Sequence, residues 1–287
     1  MKRVAVVTDS ASTIPAEMVQ QYGIEVVPLL IHLDGRTYVD TRDIQTAGEL
    51  FKHIDGSKNF PTTSAPTPGE YAEVYRRLGD SFDNILTITI SSEVSMCFNS
   101  ASKARELVLK ESPNINIEVF DSRITVGAMG LIVIAAARAA ASGKDMEEVI
   151  QTARDVQSRI HMLFIMDTLY YLARSGRISR TKAIAGNMLS MKPITEFTTS
   201  LGRATVAAKP RTRRKAVSTL LQMVKDRTKS SQPLNVMVEH TCVPDEAEQL
   251  KQTVLDEFNC SEIFLCEYTP VASVIVGPGV LGLDFYQ

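Results

Sequence analysis

The chain contains no tryptophan, and its four histidines and four cysteines are scattered through 287 residues. The cysteines form no C-x-x-C pair and no zinc-binding spacing, so the sequence predicts neither a metal site nor a disulfide framework. Isolated histidines are most simply interpreted as structural or surface residues. We therefore predict a reduced, cytoplasmic protein that needs no metal or other cofactor.

Long hydrophobic runs are also missing. The longest, GLIVIAAARAAA at 130–141, is too short to span a bilayer and contains Arg138. Lys2 and Arg3 lead directly into a short apolar run followed by polar residues, which is not the pattern of a secretory signal. With 31 Lys and Arg against 33 Asp and Glu, the net charge is -2, so we expect no nucleic-acid binding.

The composition that is present, 44% hydrophobic and 22% charged, is that of a soluble globular protein long enough for two domains. In the first half, β-rich runs alternate with helical patterns. We predict strands at 4–10, 25–33, 84–90 and 116–122, and helices at 14–23, 69–78, 95–110, 127–142 and 145–160. This alternation predicts a parallel sheet covered on both faces, an α/β/α domain.

The second half has more adjacent strands and fewer β-α-β units. We predict strands at 162–168, 233–240, 261–270 and 271–277, the last two paired, and a helix at 242–258. This pattern predicts an α+β domain with a mainly antiparallel sheet. We place the domains at 1–160 and 161–287, with a ligand cleft between them and the loop near 60–70 packing on the second domain.

Polar residues follow three of the predicted parallel strands. These strand ends carry Asp9-Ser10, Ser91-Ser92 and Asp121-Ser122. Each pair alone is explained by helix capping. Ligands of parallel α/β sheets bind at the carboxyl ends of the strands, however, so three polar ends on one edge favour a binding site.

Two hydroxyl-rich segments could hold an anion. TTSAPTPGEY (62–71) is a proline-stiffened loop before a helix, and SSEVSMCFNSASKA (91–104) starts a helix after a strand. The positive end of a helix attracts anions. In the simpler interpretation, Ser92 or Ser95 only caps the helix. Cys97 could be a nucleophile with a lowered pKa at the helix start, but the sequence suggests no histidine or carboxylate partner for it.

Two further motifs allow opposing interpretations. GPGVLG (277–282) matches the glycine spacing of dinucleotide sites, but only five residues follow it, so we predict a tight connection between strands. The basic stretches ARSGRISRTK (173–182) and AAKPRTRRKA (207–216) are either solvated charge or a docking surface for an acidic or phosphate-bearing partner.

Eight segments in order along the chain resemble the DegV family. They are VTDSAST, TTSAPTPGEY, SSEVSMCFNSA, FDSRITVGAMG, LARSGRIS, GNMLSMKPI, KPRTRRK and GPGVLG. Any one of them is a weak signal, whereas eight in order are specific. The resemblance implies two α/β domains with one long-chain fatty acid between them. It further implies a binding subunit, not an enzyme by itself, that takes a fatty acid from the membrane surface and presents its carboxylate to the ATP-binding subunit of fatty acid kinase.

Site residues follow from the same resemblance. The family's head-group threonine and serine fall on Thr63 and Ser95, and we add the neighbouring hydroxyls of Ser64 and Ser92 as ligand-binding residues. The arginines that contact the kinase fall on Arg177 and Arg211. We assign no catalytic residue and no metal ligand.

Three positions depart from the family pattern. Met96, Cys97 and Ile275 stand where relatives usually have Gly, Thr and His. A His at the last position can donate to a carboxylate, whereas Ile cannot. Two alternatives to the kinase subunit therefore remain open: a carrier or sensor for another apolar anionic lipid, and a hydrolase that uses Ser95 or Cys97.

Overall fold

The computed structural model describes residues 4–178 and 191–287. The strands within these ranges are β1 (Val4–Asp9), β2 (Glu25–Val27), β3 (Leu30–Leu33), β4 (Arg36–Val39), β5 (Thr62–Ser64), β6 (Asn84–Thr89), β7 (Asn116–Asp121), β8 (His161–Ile165), β9 (Ile194–Thr198), β10 (Arg203–Ala208), β11 (Leu234–His240), β12 (Cys260–Glu267) and β13 (Leu281–Tyr286). The helices are α1 (Ala16–Tyr22), α2 (Ala47–Asp55), α3 (Pro68–Gly79), α4 (Cys97–Glu111), α5 (Val126–Ala141), α6 (Met146–Arg159), α7 (Tyr170–Ser175), α8 (Arg213–Arg227), α9 (Pro244–Glu257) and α10 (Pro270–Val276).

The first sheet is parallel, with strand order β2-β1-β6-β7. Every residue of β1 and β6 is buried, as expected for central strands that are covered by helices on both faces. The predicted parallel α/β unit in the first half is therefore confirmed.

The second sheet has six strands in the order β10-β9-β8-β13-β11-β12. Its neighbours pair antiparallel, except for β11 and β12, which run parallel. The sheet is thus mixed but mainly antiparallel, which confirms the predicted fold class for the second half.

The prediction of a single strand at 25–33 is wrong. Pro28 has no N–H to donate, and the chain changes sheets there: β2 joins the parallel sheet, whereas β3 pairs with β4 and β5 in a small antiparallel sheet. This small sheet holds the TTSAPTPGEY segment.

The prediction of a strand at 271–277 is also wrong, because this segment forms α10. Pro270 occupies the first turn, where its missing N–H has no cost, and all but one of the helix residues are buried. A short apolar segment that is buried on all sides has no polar face, so periodicity cannot distinguish a helix from a strand.

The apolar core spans both sheets. Its largest cluster includes Val6 from the first sheet and Phe164 from the second. Helix α5, which is buried over most of its surface, contacts β1 on one side and β11 and β13 on the other. Along the sequence, the last strand of the parallel sheet ends at Asp121, and the first strand of the six-stranded sheet begins at His161. The domain limits 1–160 and 161–287 remain a prediction.

The loop before β5 contacts the second half of the chain. The ring of Phe60 lies 5.5 Å from that of Tyr171, centroid to centroid, and the guanidinium of Arg174 lies 4.5 Å from the Phe60 ring centroid. Among the described helices, none has the length and hydropathy needed to cross a membrane.

Candidate ligand-binding site

A cavity of about 650 Å³ lies between the two halves of the chain. Both halves contribute to its apolar wall. The wall includes Leu29, Ile90, Met162, Phe164, Phe197 and Val271. All four hydroxyl residues that we predicted as ligand-binding, Thr63, Ser64, Ser92 and Ser95, also line the cavity.

The segment TTSAPTPGEY reaches the cavity as a strand followed by a capped helix. Thr67 and Glu70 form a reciprocal capping box at the start of α3, with Pro68 in its first turn. This cap and the pairing of β5 with β3 hold the strand in place.

Thr63 and Ser64 differ in what surrounds them. Thr63 pairs with the buried Ile31, whereas the Ser64 hydroxyl lies 2.9 Å from Nε2 of His32. Adjacent strand residues point to opposite faces, so the two hydroxyls diverge. In the described part of the chain, the Thr63 hydroxyl has no hydrogen-bond partner, which leaves it available to a ligand.

Ser92 and Ser95 lie on the loop that connects β6 to α4. The Ser92 hydroxyl donates to Asp121 Oδ2 at 2.5 Å, which ties the loop to the end of β7. The helix itself begins at Cys97, and no side chain caps it at the Met96 N-cap position. Ser95 Oγ instead accepts a long hydrogen bond from the Cys97 N–H at 3.4 Å.

The polar ends of the three parallel strands contact one another. Asp9 Oδ2 accepts from the Ile90 N–H at 2.9 Å, and Asp121 receives both the N–H and the hydroxyl of Ser92. Asp9 and Asp121 therefore each bind the segment that follows β6, and they hold in place the loop that lines the cavity.

Cys97 is fully buried, and burial is the main reason that the pKa of its thiol is well above the ordinary value. The charge of Asp9 raises this pKa further. The sequence interpretation missed Asp9 as a carboxylate partner, because 88 positions separate the two residues. The partner does not create a nucleophile, since it disfavours the thiolate.

A second buried carboxyl lies near the same wall. Asp40 accepts from the Ser10 hydroxyl at 2.6 Å and from the Val271 N–H at 2.9 Å, and burial raises the pKa of Asp40 to about 6. It ties the first strand end to α10, and no sequence pattern singled it out.

The two predicted docking arginines have different surroundings. Arg177 is half-buried and lines the cavity, where its Nε donates to the Val94 carbonyl at 3.3 Å, and desolvation lowers its pKa. Arg211 is exposed, just before α8. The rest of the first basic stretch, from 179 to 182, lies outside the described residues.

Two of the three departures that the resemblance indicates lie at the cavity, because Met96 and Ile275 line its wall, whereas Cys97 is buried and does not line it. GPGVLG follows α10, and β13 begins within it at Leu281, so the predicted connection between two strands is wrong. No helix follows the motif, which rules out its dinucleotide interpretation. Within 4–178 and 191–287 there is no group of three acidic, His or Cys side chains that could hold a metal ion.

Fold and cavity together define an α/β protein with two large sheets, one small sheet and an amphipathic cavity in its interior. A sequence profile described as "Uncharacterised protein, DegV family" matches residues 3–287, and the chain therefore belongs to the DegV family.

Similar proteins cover the whole chain. A DegV domain-containing protein of Caldanaerobacter subterraneus is 34% identical over 287 residues, which is 100% of both chains. A solved DegV family protein from Thermus thermophilus, described by its fatty acid binding, has a TM-score of 0.91 and 29% identity over 99% of both chains. A stearic acid-binding protein from Eubacterium ventriosum has a TM-score of 0.88 and 26% identity, covering 100% of this chain and 98% of the other.

Proposed function

We propose that this protein binds a long-chain fatty acid, with the acyl chain along the apolar wall of the cavity and the carboxylate at Thr63 and Ser95. The observation that carries this proposal is the cavity wall, which is apolar over most of its surface and has hydroxyls on two loops. Each buried CH₂ contributes about 0.8 kcal/mol to binding. Hydrogen bonds from hydroxyl groups can compensate the lost hydration of a carboxylate, so the site needs no fully buried cation.

Two further observations support an anionic head group. Arg177 lines the cavity next to the loop of Ser95, so a partly shielded positive charge lies near the proposed carboxylate. The two solved proteins named above are described as binding a fatty acid, and they share this fold. Ser64 and Ser92 are the weaker candidates, since His32 and Asp121 already engage their hydroxyls.

The direct test is to identify what the purified protein carries. Lipid extraction followed by mass spectrometry is expected to release a long-chain fatty acid. Delipidated protein is expected to unfold at a lower temperature and to regain stability on addition of the acid, because a ligand that binds only the native state shifts the equilibrium. No thermal shift with any saturated or unsaturated fatty acid of about 12 to 20 carbons, the range that a cavity of this class would accept, would refute the proposal.

A matched pair of variants makes this test specific to the cavity. Ala272 is a small residue of the wall, and Ala272→Phe would fill part of the cavity. This variant is expected to lose the lipid-induced thermal shift while still unfolding cooperatively. The control is Leu255→Ser, an exposed position on α9, which should keep the shift.

For the step after binding, we propose that the protein presents its fatty acid to the ATP-binding subunit of a kinase. The carboxylate oxygen would attack the γ-phosphorus of ATP, so that ADP leaves and an acyl phosphate forms. The protein would take up its fatty acid during transient contact with a membrane surface. Arg177 and Arg211 are the proposed docking residues for the kinase subunit, and the exposure of Arg211 is compatible with that role.

Reconstitution tests the kinase step. With the purified partner subunit and ATP, Arg211→Ala is expected to reduce acyl phosphate formation while fatty acid binding is unchanged. Arg42→Ala, another exposed arginine, is the control. If no acyl phosphate forms with any partner, or if a different anionic lipid copurifies, the carrier or sensor alternative replaces the kinase role.

A further inference from the structure

One buried carboxyl joins three segments of the cavity wall. Asp40 is fully buried directly after β4, and its N–H donates to the Leu29 carbonyl at 3.0 Å. Its carboxylate accepts from the Ser10 hydroxyl at 2.6 Å and from the Val271 N–H at 2.9 Å. Each of these segments lines the cavity, through Ala11, Leu29 and Val271. Asp40 itself does not line it, so it ties the wall together from behind.

This connection crosses from one half of the chain to the other. Ser10 and Leu29 belong to the first half, whereas Val271 lies in the first turn of α10, in the second half. A second hydrogen bond runs beside it, from the Thr269 hydroxyl to the Ser10 carbonyl at 3.1 Å. The Thr269 side chain does not cap α10. Asp40 therefore supplies an acceptor for one of the N–H groups that the start of a helix leaves free.

The backbone that follows Asp40 is strained. Thr41 is exposed and has φ of +61°, in the left-handed region that is unfavourable for a β-branched residue. The turn is closed by Asp43, whose carboxylate accepts from the Val39 N–H at 2.7 Å. Backbone strain of this kind persists where the surrounding contacts fix the chain. Here the fixed residue is Asp40, which is bound on both sides of the cavity wall.

Helix α10 forms one side of the cavity. Four of its residues line the wall: Val271, Ala272, Ile275 and Val276. Dispersion contacts weaken steeply when a wall recedes by even a fraction of an ångström. The position of α10, which Asp40 fixes at its first turn, therefore decides how much binding energy each CH₂ of an acyl chain contributes.

We propose that Asp40 is a positioning residue that holds α10 against the acyl chain and thereby sets how strongly the cavity selects its ligand by chain length. It acts through Val271 and the wall that follows, not by touching the ligand. The inference rests on the proposed function, since it concerns the acyl-chain part of the same site.

The experiment measures the affinities of dodecanoic, tetradecanoic and hexadecanoic acid for delipidated protein at pH 7.5, by displacement of a fluorescent fatty acid. The measured quantity is the factor by which the affinity rises for each pair of added CH₂ groups. In the unmodified protein we expect a factor of about fifteen, the value for two fully buried CH₂ groups. Asp40→Ala is expected to reduce this factor to about four, because α10 then recedes from the chain.

This factor responds to the wall and not to other losses. Removing a head-group donor lowers all three affinities equally, and so does a general loss of stability. Asp40→Asn keeps an oxygen acceptor for the Val271 N–H and is expected to restore the factor. Thr269→Val removes the parallel hydrogen bond at nearly constant shape and should give an intermediate factor. The control is Thr87→Val, which removes a buried hydrogen bond to Tyr75, 2.8 Å long and outside the cavity wall.

Several outcomes would overturn the proposal. An unchanged factor in Asp40→Ala, no rescue by Asp40→Asn, or an equal reduction in Thr87→Val would each contradict it. If Asp40→Ala fails to fold, an unchanged factor in Thr269→Val has the same consequence. These results leave the proposed function intact, since the unmodified protein still binds the acids. If the unmodified protein binds none of the three acids, the proposed function fails and this inference fails with it.

Discussion

Ile275 stands in the cavity wall where the family resemblance leads us to expect a histidine, so the effect of that difference on binding can be tested there. It lines the wall on α10, where its side chain offers no donor to a carboxylate. We predict that Ile275→His raises fatty-acid affinity by about 1.5–3 kcal/mol, the scale of a hydrogen bond to a charged group. The measurement is the dissociation constant of hexadecanoic acid at pH 6.

Ile275→Leu is the control for this substitution, since it conserves volume and adds no donor. A loss of affinity in Ile275→His would indicate that Met96 and Ile275 form a differently adapted pocket, and the kinase role would then be the first part of the proposal to drop. An unchanged affinity would place the head group elsewhere in the cavity.

Two variants can distinguish the role of the head-group hydroxyls from that of the docking arginine. The double variant Thr63→Val with Ser95→Ala is expected to weaken fatty-acid binding by about 1.5–3 kcal/mol for each lost donor. Arg177→Ala is expected to weaken fatty-acid binding less than the double variant does and to impair transfer to the kinase subunit. If instead Arg177→Ala loses the lipid and the double variant keeps it, Arg177 binds the head group and the hydroxyls do not. The position of Arg177 in the cavity wall would explain that result.

Among the elements, the hairpin of β9 and β10 supports the loop that carries Ser92 and Ser95. Its turn residue Gly202 accepts a hydrogen bond from the Ser91 hydroxyl at 2.9 Å and has φ of +66°. A Cβ at Gly202 would lie 2.7 Å from Ser91 Oγ and 2.8 Å from Glu93 Cγ. Arg123 adds a second clamp, since its Nε donates to the Thr199 carbonyl at 2.6 Å.

We predict that Gly202→Ala weakens fatty-acid binding, because the added methyl group pushes on the cavity loop. The control is Gly35→Ala, which also has a positive φ, of +75°, but nothing within 4 Å of the new Cβ. Both variants should lose about 1–3 kcal/mol of unfolding free energy from backbone strain, but only Gly202→Ala should lose affinity. If the two variants have equal affinity for the fatty acid, the hairpin does not influence the binding site.

For the whole molecule, the most unusual contact is a buried pair of acids where the two sheets meet α5. Glu239 on β11 and Asp284 on β13 are fully buried, and a Cβ at Gly127 would lie 2.6 Å from Glu239 Cδ and 2.7 Å from Asp284 Oδ2. Burial raises the pKa of Glu239 to about 7 and that of Asp284 well above its ordinary value. The pair therefore holds protons at a pH where exposed carboxyls have lost theirs.

This pair is expected to make the protein less stable as pH rises. The native state binds more protons than the unfolded state between the ordinary pKa of 4.5 and the folded value of about 7, so the free energy of unfolding falls across this window. Each unit of pKa difference is about 1.4 kcal/mol, so the loss for the pair is on the order of 3 kcal/mol. Urea unfolding of delipidated protein at pH 5 and pH 8 measures it.

Glu239→Gln is expected to reduce this loss, because glutamine does not ionise and Asp284 then has no charged neighbour. Glu248→Gln, on the exposed surface of α9, should behave like the unmodified protein. If the stability difference between pH 5 and pH 8 is the same in the unmodified protein and both variants, the buried acid pair is not its cause.

The sequence alone determined the parts of the fold that depend on local physics. The continuous apolar runs of β1 and β6 identify central parallel strands, and the pattern of Thr67 and Glu70 around Pro68 marks the start of α3. The hydroxyl segments that line the cavity were also recognisable, because their residue types and neighbouring prolines are visible in a short window.

Only the tertiary structure decided which distant residues meet. Asp9 accepts from the Ile90 N–H, and Glu239 and Asp284 lie together beside Gly127, through strand pairing and helix packing that no local pattern encodes. The same reason explains the incorrect strand at 271–277: burial on every side, which follows from packing between the two sheets, removes the polar face that would identify a helix. Local sequence patterns identify a helix or strand when one of its faces is exposed to water. When every face is buried, packing decides which of the two forms.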